Sequence, residues 1–158
     1  MNWKSTTAVI FAAIFIFAMC STQPTYAAPP TDACKLLTPA QVSAVLGIPA
    51  KPGHAVPTDT TVCDWPLASL AKMTSKDTKE VEVKILDADS WAMVTAAVNA
   101  APPLKGVGDL AVYLGNKYLL SLYVKTGSAR FYVNVHGFPL DQIKAKEKTL
   151  ALDVVAKL

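Results

Sequence analysis

The segment LAVYLGNKYLLSLYVKTGSARFYVNVH, residues 110–136, has the clearest strand pattern in the chain. It contains three runs rich in aromatic and β-branched residues, which are typical of strands. Gly115-Asn116 and Thr126-Gly127-Ser128 separate these runs, and glycine and asparagine adopt the positive φ of hairpin turns at little cost. The segment therefore predicts an antiparallel meander with strands at residues 110–114, 118–125 and 130–136.

The second and third strands of this meander each have an apolar and a polar face, because successive side chains point to opposite sides of a strand. Leucine, valine and phenylalanine occupy the core-facing positions 120, 122, 124, 131, 133 and 135. The opposite face carries Ser121, Tyr123, Tyr132, Asn134 and His136. Aromatic and amide side chains together suit a binding surface, so this face is a candidate site unless the last helix or a loop covers it.

The sequence before the meander predicts a helix, two strands and a second helix. Thr38-Pro39-Ala40-Gln41 combines a capping box with proline at the first helical position, which predicts a helix over residues 39–46 that ends at Gly47. Strands are predicted over residues 61–65 and 81–86, joined by a turn at residues 74–79. Asp87 or Asp89 can cap the second helix, over residues 90–99, which ends before two prolines.

A last helix is predicted to begin at Asp141. Its apolar stripe consists of Ile143, Leu150, Ala151, Val154, Val155 and Leu158, and its water-facing lysines are Lys144, Lys146, Lys148 and Lys157. The order of elements is therefore α-β-β-α-β-β-β-α. This order predicts an α+β fold in which helices pack on an antiparallel sheet.

Two segments between these elements are predicted to be irregular. Residues 48–57 contain three prolines and a glycine, which predicts an exposed loop that carries His54. The segment Gly106-Val107-Gly108-Asp109 lacks the third glycine and the preceding strand of a phosphate-binding loop. It predicts a tight turn before a strand.

The first 27 residues have the pattern of a secretory signal peptide. Lys4 supplies the positive charge, residues 8–19 are uninterruptedly apolar, and Thr25-Tyr26-Ala27 offers the small residues that precede a cleavage site. We therefore predict cleavage after Ala27 and an exported protein, periplasmic or secreted. In the alternative, Cys20 is lipidated and anchors the protein to a membrane, although bulky Met19 precedes it where lipoprotein signals have a small residue.

Cleavage leaves residues 28–158, about 130 residues, which is the size of a single domain with a modest core. The whole chain has a net charge of +3, and loss of Lys4 reduces it to +2. Nucleic-acid binding proteins concentrate basic residues on one face, and this chain shows no such concentration outside its last helix. We therefore expect no nucleic-acid partner.

Cys34 and Cys63 are the two cysteines that remain after cleavage. An even number of cysteines in an exported chain predicts a disulfide between them. A redox-active pair is the alternative, but catalytic dithiols usually lie two residues apart at the start of a helix. Zinc binding is disfavoured because the only histidines, His54 and His136, lie in unrelated contexts.

Four short motifs resemble a known group of proteins. They are DACKLLTPAQVSAVLG at residues 32–47, Cys63-Asp64-Trp65, GVGD at residues 106–109 and ALDVVAKL at residues 151–158. Together they resemble the exported domains of unknown function found in bacterial, especially actinobacterial, lipoproteins. That resemblance implies a PsbP-like α/β/α sandwich with its two cysteines joined, and it implies no catalytic residues.

Catalytic and metal-binding arrangements find little support. Ser121 or Ser128 could be combined with His136 and Asp109 as a triad, but no nucleophile-elbow motif is present. The acidic pairs Asp87 with Asp89 and Glu80 with Glu82 suit helix capping and a solvated strand face. A soft metal could use His54, His136, Met73 and Met93, which are scattered singly. We predict no cofactor and no metal site.

The sequence thus favours a non-catalytic envelope protein that binds a partner protein or small ligand. The binding residues would be Tyr123, Tyr132, Asn134 and His136 on the sheet, or His54 in the loop over residues 48–60. Two other functions stay open. One is a small periplasmic hydrolase, which needs a pocket of converging titratable groups. The other is an inhibitor or immunity-type protein that inserts a rigid loop, including Lys51 and His54, into a secreted enzyme.

Overall fold

A computed structural model of the protein describes residues 30–67, 79–116 and 118–158. Within these ranges six strands form one antiparallel sheet with the order β1-β2-β3-β6-β5-β4. The strands are β1 (His54–Val56), β2 (Asp59–Pro66), β3 (Glu80–Ile85), β4 (Leu110–Gly115), β5 (Leu120–Thr126) and β6 (Ala129–His136). The helices are α1 (Pro39–Leu46), α2 (Ala88–Ala100) and α3 (Leu140–Val155), and a 3-10 turn, Ala33–Lys35, precedes them.

The predicted α+β class and the antiparallel sheet are confirmed. The predicted signal peptide, Cys20 and residues 74–78 of the predicted turn lie outside the described residues. In the part of the chain that the structure describes, no helix has the length and apolar character needed to cross a membrane.

The main core lies on one face of the sheet. Strand residues of alternating position, such as Trp65, Val83, Leu122 and Val133, are fully buried there against α3 and the 3-10 turn. Each buried side chain of this size contributes about 1.5–3 kcal/mol through removal of apolar surface from water. The core therefore fixes which face of every strand points inward.

The predicted disulfide is present and joins the 3-10 turn to β2. Cys34 and Cys63 are 29 residues apart in sequence, and their Cα atoms are 5.1 Å apart. Closing a loop of this length stabilises a fold by about 3.5 kcal/mol in the chain-entropy model. Such a bond is compatible with an oxidising, exported location.

The first helix has the predicted cap. Thr38 accepts a hydrogen bond from the Gln41 amide at 3.2 Å, and the Gln41 side chain accepts one from the Thr38 amide at 3.0 Å. Gly47 ends the helix with a φ of 73°. Lys146 of α3, which we predicted to face water, is part-buried instead because its Nζ donates to the terminal carbonyls of Val45 and Leu46 at 3.2 and 3.3 Å.

The prediction of an irregular loop over residues 48–57 is wrong in its last part. His54–Val56 forms β1 and pairs antiparallel with β2. Gly53 explains the pairing: a Cβ there would lie 2.6 Å from Nε1 of Trp65 and 2.8 Å from the Cys63 sulfur. Because only glycine permits this close approach, the chain can lie against β2, and the prolines that flank it confine β1 to three residues.

The fifth strand begins two residues later than predicted. The Asn116 Oδ1 accepts hydrogen bonds from the amides of Tyr118 and Leu119, at 2.8 and 3.2 Å. These bonds place both residues in the turn, where their side chains are exposed. The strand therefore starts at Leu120.

Glu147 of α3 is a buried residue that the sequence pattern did not indicate. Its side chain is 0% exposed, and its Oε1 accepts a hydrogen bond from the Val135 amide at 3.1 Å. Strand β5 pairs with β6 only as far as Asn134, so Glu147 provides the acceptor for the next amide along β6. Burial raises the pKa of Glu147 to about 8, opposed by the Val135 hydrogen bond.

This pKa predicts how stability depends on pH. The folded state holds the Glu147 proton up to about pH 8, whereas an unfolded glutamate loses it near pH 4.5, so stability contributed by the neutral form is lost as the pH rises. Glu147→Gln keeps the acceptor and cannot ionise. Between about pH 5 and about pH 8, the free energy of unfolding of the variant, measured with urea, should rise by roughly 3 kcal/mol relative to that of the wild type. An unchanged difference across this range would contradict a buried, neutral Glu147.

Candidate functional site

The strand register aligns one residue from each of five strands on the face opposite the main core. His54 pairs with Asp64, Asp64 with Glu82, Glu82 with Asn134, and Asn134 with Ser121. Directly paired residues project to the same side of a sheet. We call these five residues the polar row.

Hydrogen bonds fix the middle of the polar row. The Asn134 Nδ2 donates to the Ser121 hydroxyl at 2.8 Å, and both residues are buried. The Tyr132 hydroxyl donates to Glu82 Oε1 at 2.5 Å. The Tyr123 ring lies beside the Tyr132 ring, with 5.3 Å between the centroids. These contacts therefore hold the side chains in fixed positions.

The β2–β3 part of this face is acidic. Asp64 and Glu82 belong to the polar row, and Glu80 lies two residues before Glu82 and pairs with His136. Partial burial raises the pKa of Asp64, and the negative charges of Glu82 and Glu80 raise it further, while His54 and His136 act in the opposite direction. The two histidines and three carboxylates thus share one region of the sheet.

Helix α2 covers the other part of the face. Trp91 and Val98 pack on Val112 of β4, and Tyr123 and Tyr132 pack against this cluster from the side. Of the described helices, α2 alone contributes to this cluster, whereas α3 packs on the opposite, apolar face. Burial raises the pKa of Tyr132, and Glu82 raises it further by accepting the phenol's hydrogen bond, so this phenol stays neutral.

Two buried oxygens on this face lack a hydrogen-bond partner among the described residues. They are Oδ1 of Asp64 and Oδ1 of Asn134, which stand on either side of Glu82 in the polar row. A buried acceptor without a donor costs about 1–3 kcal/mol. Both oxygens therefore lack the compensation that a donor group would provide.

Neither Ser121 nor Ser128 forms a triad with His136 and Asp109. Asp109 accepts a hydrogen bond from the Gly127 amide at 2.7 Å, next to Ser128 at the start of β6. His136 is the last residue of this eight-residue strand, so roughly 20 Å separate the two ends. Ser121 lies nearer to His136, but its hydroxyl accepts from Asn134 and Asp109 is at the far end.

The remaining candidates have structural roles or are exposed. Asp87 caps α2 by accepting from the Ser90 amide at 2.7 Å. Gly108 lies in the predicted tight turn, with a φ of 55°. This position requires glycine because a Cβ there would lie 2.6 Å from the Lys125 carbonyl oxygen. Met93, one of the candidate ligands for a soft metal, is 86% exposed on α2, and Met73 lies outside the described residues.

No three histidine, cysteine, aspartate or glutamate side chains within residues 30–67, 79–116 and 118–158 converge enough to hold a metal ion. The structure instead brings together all five predicted binding residues. Tyr123, Tyr132, Asn134 and His136 lie on one face, and His54, predicted in a separate loop, joins that face through β1.

Sequence reasoning missed Asp64 and Glu82 as members of this site. Glu82 had a usable signal, because it alternates with buried valines in β3 and so had to face away from the core. Asp64 stands between buried Cys63 and Trp65, which carries the same signal. Neither residue could be placed beside Asn134 without knowing which strands pair.

Comparisons with protein families, curated proteins and solved structures find no match to this chain. Its fold and site are those of a disulfide-bonded α+β protein in which helix α2 covers part of the polar face of the sheet.

The hydrogen bond between Tyr132 and Glu82 can be tested with a matched pair of variants. Tyr132→Phe removes the only described donor to the Glu82 carboxylate and should destabilise the protein by roughly 1.5–3 kcal/mol, the range for hydrogen bonds to charged groups. Tyr123→Phe removes a hydroxyl for which the described residues provide no partner. It should cost less than about 0.5 kcal/mol in the same urea unfolding experiment. Equal losses would contradict the assigned bond.

Proposed function

We propose that this protein is an exported, non-catalytic binding protein whose ligand occupies the part of the polar face that no described helix covers, around Asp64, Glu82 and Asn134. The observation that carries this proposal is the pair of buried oxygens, on Asp64 and Asn134, that have no donor among the described residues and lie beside side chains already held by hydrogen bonds. Preorganised acceptors reduce the entropy cost of binding. Supporting features are the predicted signal peptide and a disulfide suited to an oxidising compartment.

The absence of catalysis is part of the proposal. Among the described residues, the serine nearest to His136 is Ser121, whose hydroxyl is bonded to a buried amide rather than to a base. A hydrolase that uses a serine nucleophile needs that serine within hydrogen-bond reach of its base. The arrangement supports holding a ligand better than attacking one.

The relationship to lipoprotein-like exported domains stays a prediction from the four sequence motifs.

The inhibitor hypothesis uses a neighbouring surface. His54 is exposed on a short edge strand, and Lys51 is exposed before it. Gly53 holds this segment close to Trp65, and the Lys51 amide donates to the Pro66 carbonyl at 2.8 Å. Because this segment is held so closely, we expect it to border the polar face rather than to protrude as an inhibitory loop.

The location of the binding surface can be tested by blocking it without assuming the ligand's chemistry. Glu80→Trp places a large ring at the edge of the polar face, and Asp141→Trp makes the same change in the first turn of α3, on the other side of the sheet. Native mass spectrometry of the protein recovered from the envelope of its host should show an added ligand or partner mass in the wild type and in Asp141→Trp. Glu80→Trp should lose it.

Loss of the added mass in Asp141→Trp but not in Glu80→Trp would place binding elsewhere. The proposal would be contradicted altogether if the wild-type protein carried no added mass and Glu80→Trp caused no loss of the protein's function in its host.

A further inference from the structure

We propose that the polar row binds an organic cation, through a guanidinium or ammonium group carried by a small molecule or by a basic side chain. This inference rests on the proposed binding function and adds the chemical class of the ligand.

Asn134 is the first reason. Its side chain is 4% exposed, and its Nδ2 donates to Ser121 on the β5 side. The amide oxygen and nitrogen diverge from one carbon, so Oδ1 is directed away from Ser121, and the neighbour of Asn134 on its other side is Glu82 of β3. Oδ1 has no donor among the described residues. A buried acceptor next to a carboxylate calls for a donor group that can serve both.

Asp64 and Glu82 supply the second reason. Asp64 Oδ1 is also buried and without a described donor, and Glu82 uses Oε1 for the Tyr132 hydroxyl, which leaves Oε2 for another partner. Neighbouring strands lie about 4.8 Å apart, so acceptors from β2, β3 and β6 follow one another across about 10 Å. A guanidinium group presents five N–H donors in a plane and suits such a series of acceptors.

The charge of this region selects a cation. Asp64, Glu80 and Glu82 face it, and among the described residues the bases whose charges act on Asp64 are His54 and His136. Lys84 lies two residues after Glu82 on β3, and its charge is paired with Asp59, whose carboxylate lies 3.8 Å from the Lys84 Nζ. An anion would meet three carboxylates. A metal ion would need a converging set of ligands that the described residues do not form.

The test uses the protein purified from the exported fraction, with its disulfide intact. Butylguanidinium and butylammonium are titrated by isothermal calorimetry, with butanol as the neutral probe of similar shape and sodium chloride added to equalise ionic strength. Both cations should bind and butanol should not. A short acetylated and amidated peptide with a central arginine identifies the source: about tenfold tighter binding than butylguanidinium indicates a basic protein segment, and equal binding indicates a small molecule.

Four variants then locate the interaction. Asp64→Asn and Glu82→Gln each remove a charge at constant shape, and each should weaken butylguanidinium binding about tenfold, the loss expected for one charge-assisted hydrogen bond. Asp141→Asn removes the same charge from α3 and should change affinity less than about twofold. Asn134→Leu removes the buried acceptor and should also weaken binding, while thermal unfolding reports whether each variant is folded.

Equal binding of butanol and the cations, or unchanged affinity in folded Asp64→Asn and Glu82→Gln, would overturn the inference. The result also separates the two proposals. If Glu80→Trp removes the ligand found in the envelope while the cations fail to bind, the proposed binding surface stands and the cation assignment is wrong.

Discussion

Strands β3 and β6 pair over six residues, from Glu80 with His136 to Ile85 with Phe131, and the rest of the structure is built outward from this pairing. Strands β1 and β2 extend the sheet on the β3 side, and β5 and β4 extend it on the β6 side. The pairing joins segments about 50 residues apart in sequence, so its closure entropy has to be offset by burial. Val83 and Val133, directly paired and fully buried, provide part of that burial.

The same pairing creates the site. Because side chains alternate along a strand, burying Val81, Val83 and Ile85 forces Glu80, Glu82 and Lys84 onto the opposite face. Burial of alternate β6 residues places Asn134 beside Glu82 in the same way. Helix α2 covers the apolar and aromatic part of that face, and the acidic part is left with acceptors that lack donors among the described residues. Core packing and ligand recognition are therefore two consequences of one register.

Local patterns were sufficient to predict the helices, most strands and the Cys34–Cys63 bond, because capping, alternation and cysteine number act over short distances or by counting. They also selected Tyr132 and Asn134 correctly as neighbours on one face. They could not predict β1, because the sequence does not distinguish a loop glycine from one that, like Gly53, lies in close contact with Trp65. Glu147 was missed for a related reason: on α3 it resembles any surface glutamate, and its partner, the Val135 amide, becomes available only where β5 diverges.

The central claim is that one register places Asp64, Glu82 and Asn134 side by side on the polar face. Interproton contacts across the sheet, measured by nuclear Overhauser spectroscopy on the isotope-labelled protein, test it most directly. The account predicts backbone contacts that join Glu82 to Asn134 on one side and to Asp64 on the other. Contacts that instead join Glu82 to Val133 or Val135 directly across the ladder would mean a register shifted by one residue. Such a shift would turn Glu82 away from Asn134 and contradict the site.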